Sequence, residues 1–302
     1  MIKIEKENIC FYFISDEYKK NSDYIVNFFF DEYRDLINLL EMYEIQDLIL
    51  NKEALNSKIN ILIRDKMYGI AFDGAAFDDN VVFFGFNNIK GGFVHEFAHN
   101  LFPIKNRVFS EGLSNYLPYI MYGIDAHVFW DNIRLIDILL AHLNNKYSKY
   151  SQGNNNYFEL IKDNKKMNDL RLSRIPFINT LSTLFVRYLI EKIGLKKFIE
   201  IVLVKESSLD NYKDEYSTFF NSLPQKDIDY SVYDDYFKKE LELYDEWDFL
   251  YKKHNIQQDE LIIDYFWENE IFFNNNEKEE IIGMYKKELS VFHNPLNEKK
   301  WI

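Results

Sequence analysis

The chain has 302 residues, 47% of them apolar and 28% charged, enough to bury a core in one large domain or two medium ones. A formal net charge of −13 repels phosphate backbones, so nucleic acid is excluded as an expected partner and a basic peptide or protein is favoured at long range. The lone cysteine, Cys10, excludes an intrachain disulfide, and neither a leader-like N-terminus nor a run of roughly 20 apolar residues is present, so the expectation is a cytoplasmic protein without a membrane span.

Taken in chain order, residues 9–14 form a β-prone run in which Cys10 reads as a small buried hydrophobe. Residues 23–50 carry apolar side chains at helical spacing behind Asp23, a cap candidate. Residues 58–64, 68–72 and 81–86 read as strands, with Asp73-Gly74 and Asp78-Asp79-Asn80 supplying turn chemistry around them. From residue 91 the pattern changes. Residues 91–102 have helical periodicity and are stopped by Pro103, and a second helix is expected over 110–122, kinked or shortened by Pro118. Further helices are expected near 126–143, 178–193, 195–205, 233–253 and 259–268. The order, β-rich then α-rich, predicts an α+β fold.

The chemistry concentrates in His95-Glu96-Phe97-Ala98-His99. Histidines four apart lie on one helix face, so two imidazoles can converge on one cation at the nitrogen–zinc distance of about 2.0–2.1 Å. The residue after the first histidine projects beside that cation, where a carboxylate can take a proton from activated water; this is the logic of an H-E-x-x-H segment. Chance alone would produce such a segment about 0.01 times in a chain of this composition.

A catalytic zinc takes three protein ligands, so a third must come from downstream. Glu111, in Ser110-Glu111-Gly112-Leu113-Ser114, is the candidate. Two readings stand. Glu111 is either the third ligand, with Gly112 permitting close backbone approach, or the acidic first-turn residue of a helix capped by Ser110. Asn115, four residues on and on the same face, is a candidate acceptor for the outer N–H of His95 or His99.

Together, the His95–His99 segment and the run Arg107-Val108-Phe109-Ser110-Glu111-Gly112-Leu113-Ser114 resemble the gluzincin zinc peptidases, in particular their peptidase MA-like branch, whose second metal segment reads W-L-x-E-G-hydrophobic-A. Leu184-Phe185-Val186-Arg187-Tyr188-Leu189 and Glu240-Leu241-Glu242-Leu243-Tyr244-Asp245-Glu246-Trp247 are similar to later helices of that branch. The resemblance implies a zincin-like domain over 1–253, with a β-rich lobe carrying the metal helix (1–103), a helical lobe (104–253), and an acidic, aromatic extension (254–302). It implies Zn²⁺ on His95, His99 and Glu111, Glu96 as general base, and hydrolysis of a peptide or protein substrate. It also implies a sheet edge that pairs with the substrate backbone, for which residues 80–86 are the expected strand.

Departures accompany the likeness. Eleven residues separate His99 from Glu111, a short interval. Where the branch often carries an oxyanion-stabilising tyrosine this chain has Asn179, with Phe177 nearby, so another donor is needed, and Tyr116 is one candidate. Gly74-Ala75-Ala76 lacks the glutamate with which aminopeptidases hold a substrate amine, which favours an endopeptidase. The alternatives are an aminopeptidase and a non-proteolytic zinc-binding interaction module on the same fold.

Overall fold

The computed structural model describes residues 2–13, 16–52, 55, 59–64, 73–77, 80–84, 86, 90–125, 134–144, 157–162, 174–204, 208–224 and 238. They form a mixed α+β fold. The strands are β1 (Ile2–Lys6), β2 (Ile9–Phe13), β3 (Ile59–Arg64), β4 (Asp73–Phe77) and β5 (Asn80–Phe84). The helices are α1 (Asp16–Lys19), α2 (Ser22–Met42), α3 (Gly92–Leu101), α4 (Arg107–Tyr122), α5 (Leu135–Asn144), α6 (Tyr157–Ile161), α7 (Arg174–Ile193), α8 (Leu195–Val204) and α9 (Lys213–Asn221).

The five strands make one sheet in the order β1-β2-β3-β5-β4. The three central strands are parallel, with Ile9 opposite Ile59 and Ile63 opposite Phe83, while β1 and β4 run antiparallel to their neighbours at the two edges. A parallel pair needs a long crossover, and α2 supplies it between β2 and β3. The central strands are apolar: Ile9, Cys10, Phe11 and Phe13 of β2 and Ile59, Ile61 and Ile63 of β3 are buried. Cys10 is thus the small buried hydrophobe expected of it.

The chain divides into two compact units, residues 1–125 with 182–221, and residues 126–181 with 222–302. Helices α2, α3 and α4, the sheet, and α7 from Ser182 onward lie in the first. The second contains α5, α6 and the opening turns of α7, with Ile138, Leu139, Ala141 and His142 of α5 fully buried.

Several elements differ from expectation, each for a local reason. Helix α2 ends at Met42 rather than near residue 50, because Glu44 adopts φ +52° and turns the chain so that Ile45 and Ile49 bury beside the core. Asp23 does not cap it; Asn21 holds that position without a side-chain hydrogen bond. Strand β1 was not expected from its charged, alternating sequence, which suits a sheet edge. Asp73-Gly74, read as a turn, opens strand β4, where pairing with β5 overrides the low β-propensity of Gly-Ala-Ala. Consequently β5 is an interior strand, and the expectation that residues 80–86 form the substrate-binding edge is corrected: on that side of the sheet the edge is β4. Helices α6 and α9 were not anticipated. The strand expected at 68–72, the helices expected at 233–253 and 259–268, and the boundary near residue 253 lie outside the described residues. Among the described residues no helix is long and apolar enough to cross a membrane.

Candidate metal centre

Helix α3 is amphipathic around a wall of aromatic side chains. Phe93, Val94, Phe97, Ala98 and Leu101 are buried. Phe93 and Phe97 stack on each other at 5.2 Å, and Tyr33 of α2 meets both rings. Full burial of each such side chain contributes roughly 1.5–3 kcal/mol, so this face fixes how α3 is rotated about its axis. The opposite face then presents His95, Glu96 and His99, all only partly buried.

Helix α4 returns against α3 through a tight connection in which Phe102 and Ile104 are buried and Ile104 N–H donates to the Phe102 carbonyl at 2.7 Å. The short interval after His99 is thereby accommodated. Helix α4 begins a turn earlier than expected, at Arg107, because Asn106 is its N-cap: the Asn106 side-chain oxygen accepts from Phe109 N–H at 3.3 Å. This corrects the reading of Ser110 as a cap and of Glu111 as a first-turn residue of a helix starting there. Helix α4 also runs through Pro118 to Tyr122 rather than being shortened there, and Pro118 lies close to Gly91 ahead of α3.

At Gly112 helix α7 comes very close. A β-carbon there would sit 2.3 Å from Val186 Cγ2 and 2.7 Å from the Ser182 carbonyl of α7, so only glycine permits this approach. Glu111 is the neighbour of that contact point, and its backbone position is set by it.

The facing side chains meet as follows. His95 Nε2 and His99 Nε2 lie 3.3 Å apart. Donors about 2.0–2.1 Å from a tetrahedral zinc are separated from one another by about 3.3–3.4 Å, so the two nitrogens already have the spacing of two ligands of one ion. Glu111 Oε2, from α4, is 3.8 Å from His95 Nε2, and Arg107 Nη2 lies 3.4 Å from its other oxygen. Ligand atoms of His95, Glu96 and His99 all lie within 4.8 Å of one another.

The outer edges of both imidazoles are engaged. Asn115 donates its amide N–H to the Glu111 carbonyl at 2.9 Å, which leaves Asn115 Oδ1, an acceptor, 3.1 Å from His95 Nδ1. In this pairing His95 donates from Nδ1 to Oδ1, the tautomer in which Nε2 presents a lone pair. Ser110 Oγ is 2.9 Å and Ser114 Oγ 3.3 Å from His99 Nδ1. Ser110 and Ser114 were not identified from the sequence as partners of the site; their spacing of four on the helix of Glu111 is the signal that could have found them. Tyr116, the oxyanion-donor candidate, lies one residue beyond Asn115 on the same helix. Its ring meets Tyr119 at 6.0 Å, burial pushes its phenol up to about 12, and its charged neighbours are Glu191 and Arg187.

Electrostatics suit a cation. Although about 20% of the His95 side chain stays accessible, desolvation lowers its pKa, and that of His99, below the usual histidine range, so both are neutral donors at pH 7. Burial pushes Glu96 up to about 7; His95 opposes the shift and Glu111 adds to it. Two neutral imidazoles, two carboxylates that repel each other and outer-edge hydrogen bonds to each histidine make a donor set that fits zinc.

Sequence reasoning also missed Glu32. This α2 residue is fully buried, and its Oε1 accepts from Gly91 N–H at 2.6 Å, just ahead of α3. Burial raises its pKa to about 7 against the opposing pull of the N–H groups at Gly91, Val94 and Phe93. No sequence pattern reports such a contact across 59 residues. Comparison of the chain with protein-family models, with curated proteins and with solved structures finds no match.

Proposed function

We propose that this chain is a zinc-dependent metallopeptidase in which His95, His99 and Glu111 hold the ion and Glu96 is the general base. The observation that carries the reading is the 3.3 Å approach of the two Nε2 atoms, with Asn115 engaging the outer nitrogen of His95 and a Glu111 carboxylate oxygen 3.8 Å from His95 Nε2 on a second helix. Also in its favour, the arrangement needs the H-E-x-x-H segment and the downstream Ser-Glu-Gly segment to fall on two adjacent helices, as they do.

Bound zinc supplies Lewis acidity toward the scissile carbonyl and toward water. Glu96 takes the proton of the attacking water on a carboxylate oxygen as the carbon–oxygen bond forms, then returns it to the amine nitrogen as the carbon–nitrogen bond breaks. Burial raises the Glu96 carboxyl above the ordinary carboxylate range, which strengthens it as a proton acceptor. Asn115 and the two serines hold the imidazoles in orientation throughout. A substrate strand would lie along β4, which ends the sheet and packs near α3, so that backbone hydrogen bonds align the peptide and the substrate side chains set the preference.

The test is incubation of the purified protein with a mixed peptide library, with and without chelator and with zinc restored. Internal cleavage that stops with chelator and returns with zinc supports the reading. Intact peptides with zinc retained would instead support a non-proteolytic zinc-binding module.

A further inference from the structure

We infer that Glu32 is a positioning residue for the metal centre, tying α2 to the first turn of α3 and, at Gly91, to α4; the inference rests on the metallopeptidase reading of that centre. Helix α3 has no side-chain cap of its own, because its N-cap is Gly91, held at φ +100°, a left-handed conformation that favours glycine. Both halves of the Gly91 residue are committed. Its N–H donates to Glu32 Oε1 at 2.6 Å, and its carbonyl accepts from His95 N–H at 2.9 Å. From the other side Pro118, seven residues after Glu111 on α4, closes on the Gly91 Cα: a β-carbon there would lie 2.9 Å from Pro118 Cβ.

Glu32 is therefore one hydrogen bond from the residue that anchors the backbone of His95, and that same residue abuts the helix of Glu111. A carboxylate fully buried on α2 has one directional use here, as the acceptor that fixes where the first turn of α3 begins. Moving that start would move His95 and Glu96 relative to Glu111. What the geometry requires is an acceptor at this reach; the charge is secondary.

The experiment measures Zn²⁺ affinity by competition with a chromophoric chelator for the wild type, Glu32→Ala, Glu32→Gln, Glu32→Asp and the control Leu40→Ala. Leu40 is a fully buried residue of the same helix, and its truncation reports general loss of stability, followed in parallel by urea unfolding. Removal of the acceptor in Glu32→Ala, and its retraction by one methylene in Glu32→Asp, are expected to weaken zinc binding about tenfold or more. Glu32→Gln keeps an acceptor and is expected to stay within about threefold of wild type, as is Leu40→Ala despite its lower unfolding midpoint. Equal zinc affinity in Glu32→Ala and Leu40→Ala would overturn the inference, as would a Glu32→Gln as weak as Glu32→Ala. Should Glu32→Ala fail to fold, the Asp and Gln pair decides, and wild-type affinity in Glu32→Asp would overturn it. A wild type that binds no zinc at all would remove the metallopeptidase reading and this inference with it, whereas a zinc-binding wild type with indifferent Glu32 variants removes the inference alone.

Discussion

Ser110 Oγ lies 2.9 Å from His99 Nδ1, inside helix α4 rather than at its start. Ser114, one turn later, approaches the same nitrogen at 3.3 Å, so His99 has two hydroxyl partners where His95 has one amide. The two histidines should respond differently to loss of their outer partners. Ser110→Ala is expected to weaken zinc binding only about threefold because Ser114 remains, whereas Ser110→Ala with Ser114→Ala, or Asn115→Ala alone, should weaken it about tenfold to a hundredfold. Chelator competition on the three variants checks this. Equal effects of the single and double serine variants would rule out the shared contact.

Glu96→Gln should separate binding from turnover. The amide cannot accept the proton of water, so peptide hydrolysis should fall by about two to four orders of magnitude. Zinc stoichiometry by atomic absorption should stay at that of the wild type, since His95, His99 and Glu111 are untouched. Wild-type hydrolysis by this variant would mean that another group is the base.

Gly112→Ala tests the close helix approach. The added methyl meets Val186 and the Ser182 carbonyl at distances no side chain tolerates, and the carbonyl is backbone, so α7 must move. A loss of about 1–3 kcal/mol in urea unfolding is expected. Because Glu111 is the adjacent residue, zinc affinity should fall as well. A variant with unchanged stability would show that α4 and α7 are further apart than described.

The pH dependence of stability carries a signature of Glu32. Its carboxyl is held at about 7 in the fold, against an ordinary value of 4.5. Below pH 4.5 both folded and unfolded chains are protonated there. Between 4.5 and 7 the folded protein keeps a proton that the unfolded chain has released, so this group's contribution to stability is lost as pH rises. The loss is on the order of 3 kcal/mol across that window. Glu32→Gln cannot titrate, so the metal-free variant should gain stability relative to metal-free wild type between pH 4.5 and 7.5. Parallel unfolding midpoints across that range would contradict it.

The sequence made some of this legible and not the rest, for physical reasons. His95 and His99 were readable because a helical spacing of four is a local rule, and Phe93 and Phe97 told which face would be buried. The central strands were readable from continuous apolar runs. Strand β4 was not, since Asp73-Gly74-Ala75-Ala76 has turn chemistry and becomes a strand only by pairing with β5. Which strand forms the edge depends on the order of the sheet, and that order is set by long-range pairing. The alternative in which Ser110 caps the helix fails because the cap lies a turn earlier at Asn106, and cap residues of similar type compete in that stretch. Glu32 is the extreme case: a glutamate in a helix with many charges looks solvated until the facing helix end is in place.

The most direct test of the central claim is an anomalous-difference map collected at the zinc edge from crystals grown with one equivalent of Zn²⁺. The account predicts a single strong peak bonded to His95 Nε2, His99 Nε2 and a carboxylate oxygen of Glu111, with Glu96 beside it. A peak elsewhere on the chain, or none at these three side chains, would contradict it.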